Sequence, residues 1–314
     1  MDAKVRDATV QMGIGLPNGG SDVDPGELVR LAVGAEALGL DSVWVVDRWL
    51  RPHAPVAMPG VPVPVVMPAE YYRCVYDPIE VLSFIAARTE VIKLGTSAIN
   101  VLLHPPVLLA RRLATLDRLS GGRLVAGVTS GWMAEEFAVA GVPRDHMGDG
   151  FDDHLAAMRA VWGPDPVDHP GPRYAIPASD IGPKPCGSDG IPLIIGYTTP
   201  TGIRRAARIG DGLHPYRNDL DRLADELDQW REAVTAQGRD PSRLPVILRA
   251  EATPGDNGTG DGKAAFSGAV ESWADDLARI ESLGVDHVLL QFEPGLGVDA
   301  TLRIMADLIG MSGP

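Results

Sequence analysis

Several things are scarce in this sequence, and each scarcity closes a possibility. Only two cysteines, Cys74 and Cys186, occur in 314 residues, and they lie far apart. Both read as free thiols, and no Cys/His cluster has the spacing of zinc ligands, so no metal centre is expected. No apolar run approaches the roughly 18 to 20 residues of a membrane helix. The N-terminal Met1-Asp-Ala-Lys-Val-Arg-Asp stretch lacks the apolar core of a signal peptide. Positive charge is also short: the net charge is -14, which argues against nucleic acid or an anionic membrane as partner. A cytoplasmic protein acting on a small molecule is the expectation, and a homodimer is a compatible assembly. Also missing is a Gly-x-Gly-x-x-Gly turn after the first strand, since Gly13-Ile-Gly15 lies inside it; this weakens a dinucleotide-binding Rossmann reading.

What is present is organised around residues 92 to 131. Ile92-Lys-Leu-Gly-Thr-Ser-Ala-Ile-Asn-Val and Arg123-Leu-Val-Ala-Gly-Val-Thr-Ser-Gly are β-branched runs, separated by a helix opened at Pro105-Pro106. A strand–helix–strand unit of this kind makes its strands parallel. The pattern recurs along the chain. Strands are expected at Val10–Leu16, Ser42–Val46, the two just named, Pro192–Gly196, Gly212–Tyr216, Pro245–Arg249 and His287–Phe292. Helices follow each. Asp24-Pro-Gly-Glu27 carries the signals of a capping box, and Asp77-Pro-Ile-Glu80 repeats them. Eight such units predict an α/β fold, a (β/α)8 TIM barrel formed by residues 1–314 as one domain. Two proline-rich stretches, Trp49–Tyr76 after strand two and residues 163–190 after strand four, are expected as insertions. The first, with Tyr71, Tyr72 and Tyr76, suits a lid or pocket wall. Residues Pro254–Gly262 read as a glycine-rich loop.

Barrels bind ligands at the ends of their strands, which singles out Asp47, Arg48, Thr96, Ser97, Asn100, Thr129, Ser130, Gly131, Gly196, Thr198, Thr199 and His214. Thr199 can cap the next helix with Pro200 in its first position, leaving the amides of Thr201 and Gly202 for an anion. Glu135 and Glu136 would oppose a phosphate at the helix after strand four. Asp47 is a candidate for proton handling, or a cap for its loop. His214 is read either as a substrate contact or as a local hydrogen bond, His287 as structural, and Asn18 as facing the pocket or serving its turn.

At these residues the sequence resembles the luciferase-like monooxygenase superfamily, in particular its branch using the deazaflavin coenzyme F420. The resemblance rests on Ala35-Glu-Ala-Leu-Gly-Leu-Asp-Ser-Val-Trp-Val-Val-Asp47, Ile92-Lys-Leu-Gly-Thr-Ser-Ala, His104-Pro-Pro-Val-Leu-Leu-Ala, Leu116-Asp-Arg-Leu-Ser-Gly-Gly-Arg-Leu-Val-Ala-Gly-Val, Gly131-Trp-Met-Ala-Glu-Glu-Phe137 and Arg204-Arg-Ala-Ala-Arg-Ile-Gly-Asp-Gly212. It implies a flavin-type ring across strand three, against a non-prolyl cis peptide whose match is Ser97-Ala98, with Thr96 beside it. Thr129, Ser130 and Gly131 match coenzyme contacts, and Gly196, Thr198 and Thr199 match the phosphate loop. Two departures stand out. Arg48 replaces a histidine that serves many relatives as acid or base, and arginine is a poor proton shuttle; anion steering is its alternative role. Trp132 stands where the sugar-phosphate dehydrogenases of this branch carry a catalytic glutamate. The resemblance thus implies an F420-dependent oxidoreductase acting on a small organic substrate through Asp47 and Arg48. The alternatives are a monooxygenase using reduced FMN and a non-catalytic flavin-binding barrel.

Overall fold

The structure, a computed structural model, describes residues 10–255 and 264–312. Eight parallel strands form its centre: β1 (Gln11–Gly15), β2 (Ser42–Val45), β3 (Lys93–Thr96), β4 (Leu124–Thr129), β5 (Leu193–Gly196), β6 (Gly212–His214), β7 (Ile247–Pro254) and β8 (His287–Phe292). Their spatial order is β6-β5-β4-β3-β2-β1-β8-β7. Parallel bridges Leu213–Val246 and Tyr216–Arg249 join the two ends of this curled sheet. Helices pack outside it: α1 (Pro25–Ala37), α2 (Pro78–Ala86), α3 (Pro106–Ser120), α4 (Ala134–Ala140), α5 (Asp149–Trp162), α6 (Pro200–Ile209), α7 (Leu220–Ala236), α8 (Trp273–Ser282) and α9 (Val298–Ser312).

Strand periodicity explains the two cores. Successive side chains point to opposite faces. Ile14, Val43, Leu94, Val128, Leu248 and Leu290 therefore lie in the large buried cluster shared with the helices. Their alternates Trp44, Val125, Ile194, Ile247 and Leu289 fill the barrel interior. Trp44 fits because β3 carries Gly95 opposite it: a Cβ there would lie 2.2 Å from the indole.

Helix starts follow the proline signals, with a difference in detail. The Asp24 carboxylate accepts from Gly26 N and Asp77 from Ile79 N, at 2.7 and 3.0 Å. Each acid thus serves an amide two residues on, and the reciprocal bond expected of a capping box is not made. Strand β7 runs past its expected end to Pro254, because its last residues pair with Ser267–Gly268. Pro254 is therefore strand, Gly255 N donates to Gly268 O, and residues 256–262 of the expected glycine-rich loop lie outside the described residues.

The stretch after β2 has structure of its own. Val56 and Val65 bridge each other, Ala69–Tyr72 is a short helix, and Cys74–Val75 pairs with Gly19–Gly20. Asn18 holds it down and is fully buried. Its amide donates to Val46 O and Tyr76 O and accepts from Val46 N, so it serves its turn. Residues 163–190 contain an antiparallel pair, Val167–His169 with Ile176–Ser179. Cys74 and Cys186 are free. Among the described residues no helix is long and apolar enough to cross a membrane, and no cluster of His, Cys, Asp or Glu is placed to hold a metal ion.

Candidate active site at the carboxyl ends of the strands

The third strand is broken where the sequence places its small residues. The Ser97–Ala98 peptide is cis, and the chain resumes as Ile99–Asn100, paired with Val128 and Thr129. Its neighbours fix this kink. Thr96 Oγ1 donates to Gly127 O at 2.8 Å, and Ser97 N to Val45 O at 2.8 Å. Arg249 Nη1 donates to Ser97 O at 3.0 Å. Ser97 Oγ lies 2.8 Å from His214 Nε2, while His214 Nδ1 lies 2.6 Å from Ile247 O. A carbonyl only accepts, so Nδ1 carries the proton and Ser97 donates to Nε2. Burial lowers the His214 pKa to about 4, which keeps the ring neutral. His214 is therefore a support beneath the kink. His287 repeats the arrangement on the floor. Trp44 Nε1 donates to Ser42 Oγ at 2.6 Å, leaving the hydroxyl to donate to His287 Nε2 at 2.7 Å.

Asp47 lies beside the kink. Its Oδ2 accepts from Asn100 N at 3.3 Å. Burial, seconded by the nearby Glu136 carboxylate, outweighs that hydrogen bond and the Arg48 charge, raising its pKa to about 7. A carboxyl so placed gains and loses a proton in the neutral range. Arg48 is committed elsewhere. Its Nη1 donates to Glu136 Oε2 at 2.8 Å, the other Glu136 oxygen accepts from Trp49 N at 2.9 Å, and Glu136 is buried. The Arg48 guanidinium also faces the rings of Trp132 and Tyr72, 5.1 and 6.0 Å from their centroids. With its charge matched, Arg48 is a poor fit to the anion-steering role expected of it. Glu136, expected as an acid opposing phosphate, is its counter-ion. Above them Val56, Met67 and Met133 are buried together, with Leu50, Tyr72 and Trp132 packed against them. The lid stretch thus closes onto the loop after β4.

Asn100 is unpaired at both polar atoms, Oδ1 and Nδ2, and Arg48 Nε and Arg249 Nε are likewise buried without partners. Asn100 is 5% exposed. Leaving such a group unmet costs about 1 to 3 kcal/mol. It abuts Gly131, whose φ is +74°; a Cβ there would fall 2.0 Å from Asn100 Nδ2.

A cavity of about 260 Å³ opens between the ends of β4 and β5, lined by Thr129, Ser130, Gly131, Gly196, Thr198 and Thr199 with Phe151 and Arg205 among others. Six of the residues singled out in the sequence therefore share one wall. Thr199 caps α6, but its Oγ1 accepts from Gly202 N at 3.2 Å. That amide is engaged rather than free, so the first-turn amide of Thr201 carries the anion argument alone. A further cation makes up for it: Arg205 and Arg208 both pair with Asp152, the first at 3.0 Å, leaving one positive charge in surplus. Arg205 passes for a surface charge in the sequence. The available signal is its spacing, since Gly202 and Arg205 are three apart and share a helix face.

Comparison with known proteins agrees with this architecture. The luciferase-like monooxygenase family model matches residues 8–259, and the chain belongs to that family. An uncharacterised protein of Mycobacterium bovis is 30% identical over 224 residues, 71% of this chain and 72% of that protein. An F420-dependent glucose-6-phosphate dehydrogenase of Amycolatopsis mediterranei is 30% identical over 197 residues, 60% of this chain and 52% of that enzyme. Among solved structures, an F420-dependent secondary alcohol dehydrogenase superposes with a TM-score of 0.78 at 18% identity, covering 98% of this chain and all (100%) of that one. A monooxygenase from Streptomyces bottropensis superposes with a TM-score of 0.77 at 20% identity, over 95% of this chain and 98% of that one. At such identities these likenesses concern the fold.

Proposed function

We propose that this protein is an F420-dependent oxidoreductase that moves a hydride between the deazaflavin coenzyme and an oxygen-bearing carbon of a small organic substrate, with Asp47 carrying the accompanying proton. The observation that carries the reading is an Asp47 carboxyl whose pKa is raised to about 7 at the kinked end of β3. A hydride donor or acceptor leaves one proton to be handled, and this group is poised to do it.

The chain's groups fit the coenzyme. Hydroxyls and backbone at Thr129, Ser130, Gly131, Gly196 and Thr198 line one cavity. Thr199, the Thr201 amide and the surplus charge on Arg205 suit its phosphate. Ala98, the half-buried side of the cis peptide, is the surface this reading gives its ring, with the buried Thr96 and Ser97 supporting it from behind. When bound, the coenzyme supplies the two-electron chemistry, and the protein supplies position and electrostatics. For alcohol oxidation Asp47, as carboxylate, takes the hydroxyl proton; for carbonyl reduction the protonated acid returns it. Arg48, paired with Glu136, holds the wall of the chamber. Arg249 is likewise paired, with Glu251 at 3.1 Å. With both arginines matched and Trp132 at the wall, the reading favours a substrate uncharged at its reacting end over a sugar phosphate.

A second reading, a monooxygenase using reduced FMN, is favoured by the apolar lid cluster of Val56, Met67 and Met133, which suits an oxygen adduct sheltered from water. Fluorescence titration of the purified protein with each coenzyme separates the two. Binding of F420, with hydride transfer from its reduced form to a ketone, is the expected result. Tight FMN binding without F420 binding overturns it, and binding without turnover of any substrate leaves a carrier barrel.

A further inference from the structure

Resting on the coenzyme reading above, the geometry points to a latch outside the barrel mouth: we propose that Tyr197, through its hydroxyl bond to Glu226 of α7, is the positioning residue of the phosphate seat. Tyr197 follows the last residue of β5 and stands two before the Thr199 cap of α6. Its Oη donates to Glu226 Oε2 at 2.6 Å, and Glu226 is buried. Among the described residues this is the only side-chain hydrogen bond from residues 196–199 to another element, since the Thr199 hydroxyl serves its own helix start.

The segment has little else to hold it. Tyr197, Thr198 and Thr199 line the coenzyme cavity between β4 and β5. The same residues line a second cavity of about 230 Å³ that faces α7, at Arg222 and Gln229. A wall between two cavities is short of packing on both faces, so one strong tie decides where it stands. Gly202 gives the tyrosine its path: a Cβ there would fall 2.9 Å from the Tyr197 Cβ.

The anchor is fixed before any ligand arrives. Glu226 Oε1 accepts from Arg217 Nη2 at 2.7 Å and from Arg222 Nε at 3.1 Å, and the Arg217 guanidinium lies 5.8 Å from the Tyr197 ring centroid. Burial opposes the Glu226 charge, but its arginine and tyrosine partners hold the carboxyl below the usual range. Burial, and then the Glu226 bond, pushes the Tyr197 phenol up, so it stays a donor at neutral pH. A hydrogen bond to an ionised carboxylate is among the stronger ones a phenol can make. The bond fixes Tyr197, and with it Thr198, the Thr199 hydroxyl and the Thr201 amide, the groups that meet a phosphate. The coenzyme ring, seated over β3 on the same reading, touches none of this latch.

The test is Tyr197→Phe, which keeps the aromatic ring, deletes the hydroxyl and leaves Glu226 paired with its arginines. Fluorescence titration measures affinity for two pairs of ligands, F420 with its phosphate-free deazaflavin and FMN with riboflavin. For a phosphate-bearing ligand that the wild type binds, affinity is expected to fall by about tenfold, while its phosphate-free counterpart changes by less than about twofold. Glu226→Gln, which keeps an acceptor for the hydroxyl, is expected to lose less. Equal losses in both members of a pair, or no loss in either, make Tyr197 a packing residue and overturn the proposal. A phosphate-specific loss in Glu226→Gln with none in Tyr197→Phe overturns it as well, by assigning the effect to the released arginines. If the wild type binds no ring ligand at all, the coenzyme reading fails and the latch with it, a result recognised before any variant is made.

Discussion

Two layers of polar side chains lie inside one barrel, and they end differently. On the floor the polar contacts close: Trp44 to Ser42 to His287 and on to Gln11, and Ser97 to His214 and on to the carbonyl of Ile247. At the mouth they stop short. Asn100 has no partner, Asp47 has one long hydrogen bond and a perturbed proton, and the Thr199 helix start faces an open cavity. Buried polar groups that satisfy one another hold a fold in a single arrangement, whereas unmet ones beside a cavity are available to whatever enters it. The contrast separates structural from functional residues of the same chemical type: His214 and Asn100 both sit near the kink, yet only the first is satisfied.

The largest predicted effect is at the most buried ion pair of the mouth, Arg48 with Glu136. Arg48→Ala strips buried Glu136 of its counter-ion and is expected to cost about 3 to 5 kcal/mol in denaturant unfolding. Adding Glu136→Leu to Arg48→Met should restore most of it; a single variant as stable as wild type would show that the pair bears no weight. On the floor, Ser42→Ala leaves Trp44 Nε1 and His287 Nε2 unmet, at about 1 to 3 kcal/mol, with coenzyme affinity preserved. Equal loss of affinity and stability there would erase the distinction between the layers.

Proton linkage sharpens the contrast, because the two layers respond to pH in opposite directions. The Asp47 pKa is raised, from 3.8 to about 7. The native state therefore prefers its neutral form, and its contribution is lost as pH climbs from near 4 through 7. Asp47→Asn should melt higher than wild type at pH 8 and lose that advantage by pH 4. The same variant should lose the inflection near pH 7 in the rate of alcohol oxidation. His214 and His287, whose pKa values burial lowers to about 4 and 3, act the other way: the stability of their neutral forms, full above pH 6.5, drains away as pH falls toward those values. Replacing His214 by Gln should flatten that acid limb, measured as melting temperature against pH. The smallest effect is at the phosphate seat, where Thr199→Ala removes a helix cap worth about 1 kcal/mol and is read as a modest drop in melting temperature.

Much of the fold was legible because it is written in local signals. Alternation places β8 at His287–Phe292 as expected, and Asp-Pro and Thr-Pro pairs open α1, α2 and α6 where they occur. Within the site, positions at strand ends were legible, and the residues from Thr129 to Gly131 and from Gly196 to Thr199 do come together. Partnerships were not. That Arg48 belongs to Glu136 depends on α4 docking against the end of β2, across 88 residues of chain. The unmet state of Asn100 depends on what every neighbour does with its own hydrogen bonds. Arg205 turns inward only through the rotation of α6. Such facts are properties of packing, and no spacing in the sequence encodes them.

The most direct test of the account is an electron-density map of the F420 complex. The prediction is a planar ring against Ser97–Ala98, with its phosphate beside Thr199 and Arg205. Density for the ring anywhere other than over the kink of β3, or a phosphate away from the start of α6, would contradict it.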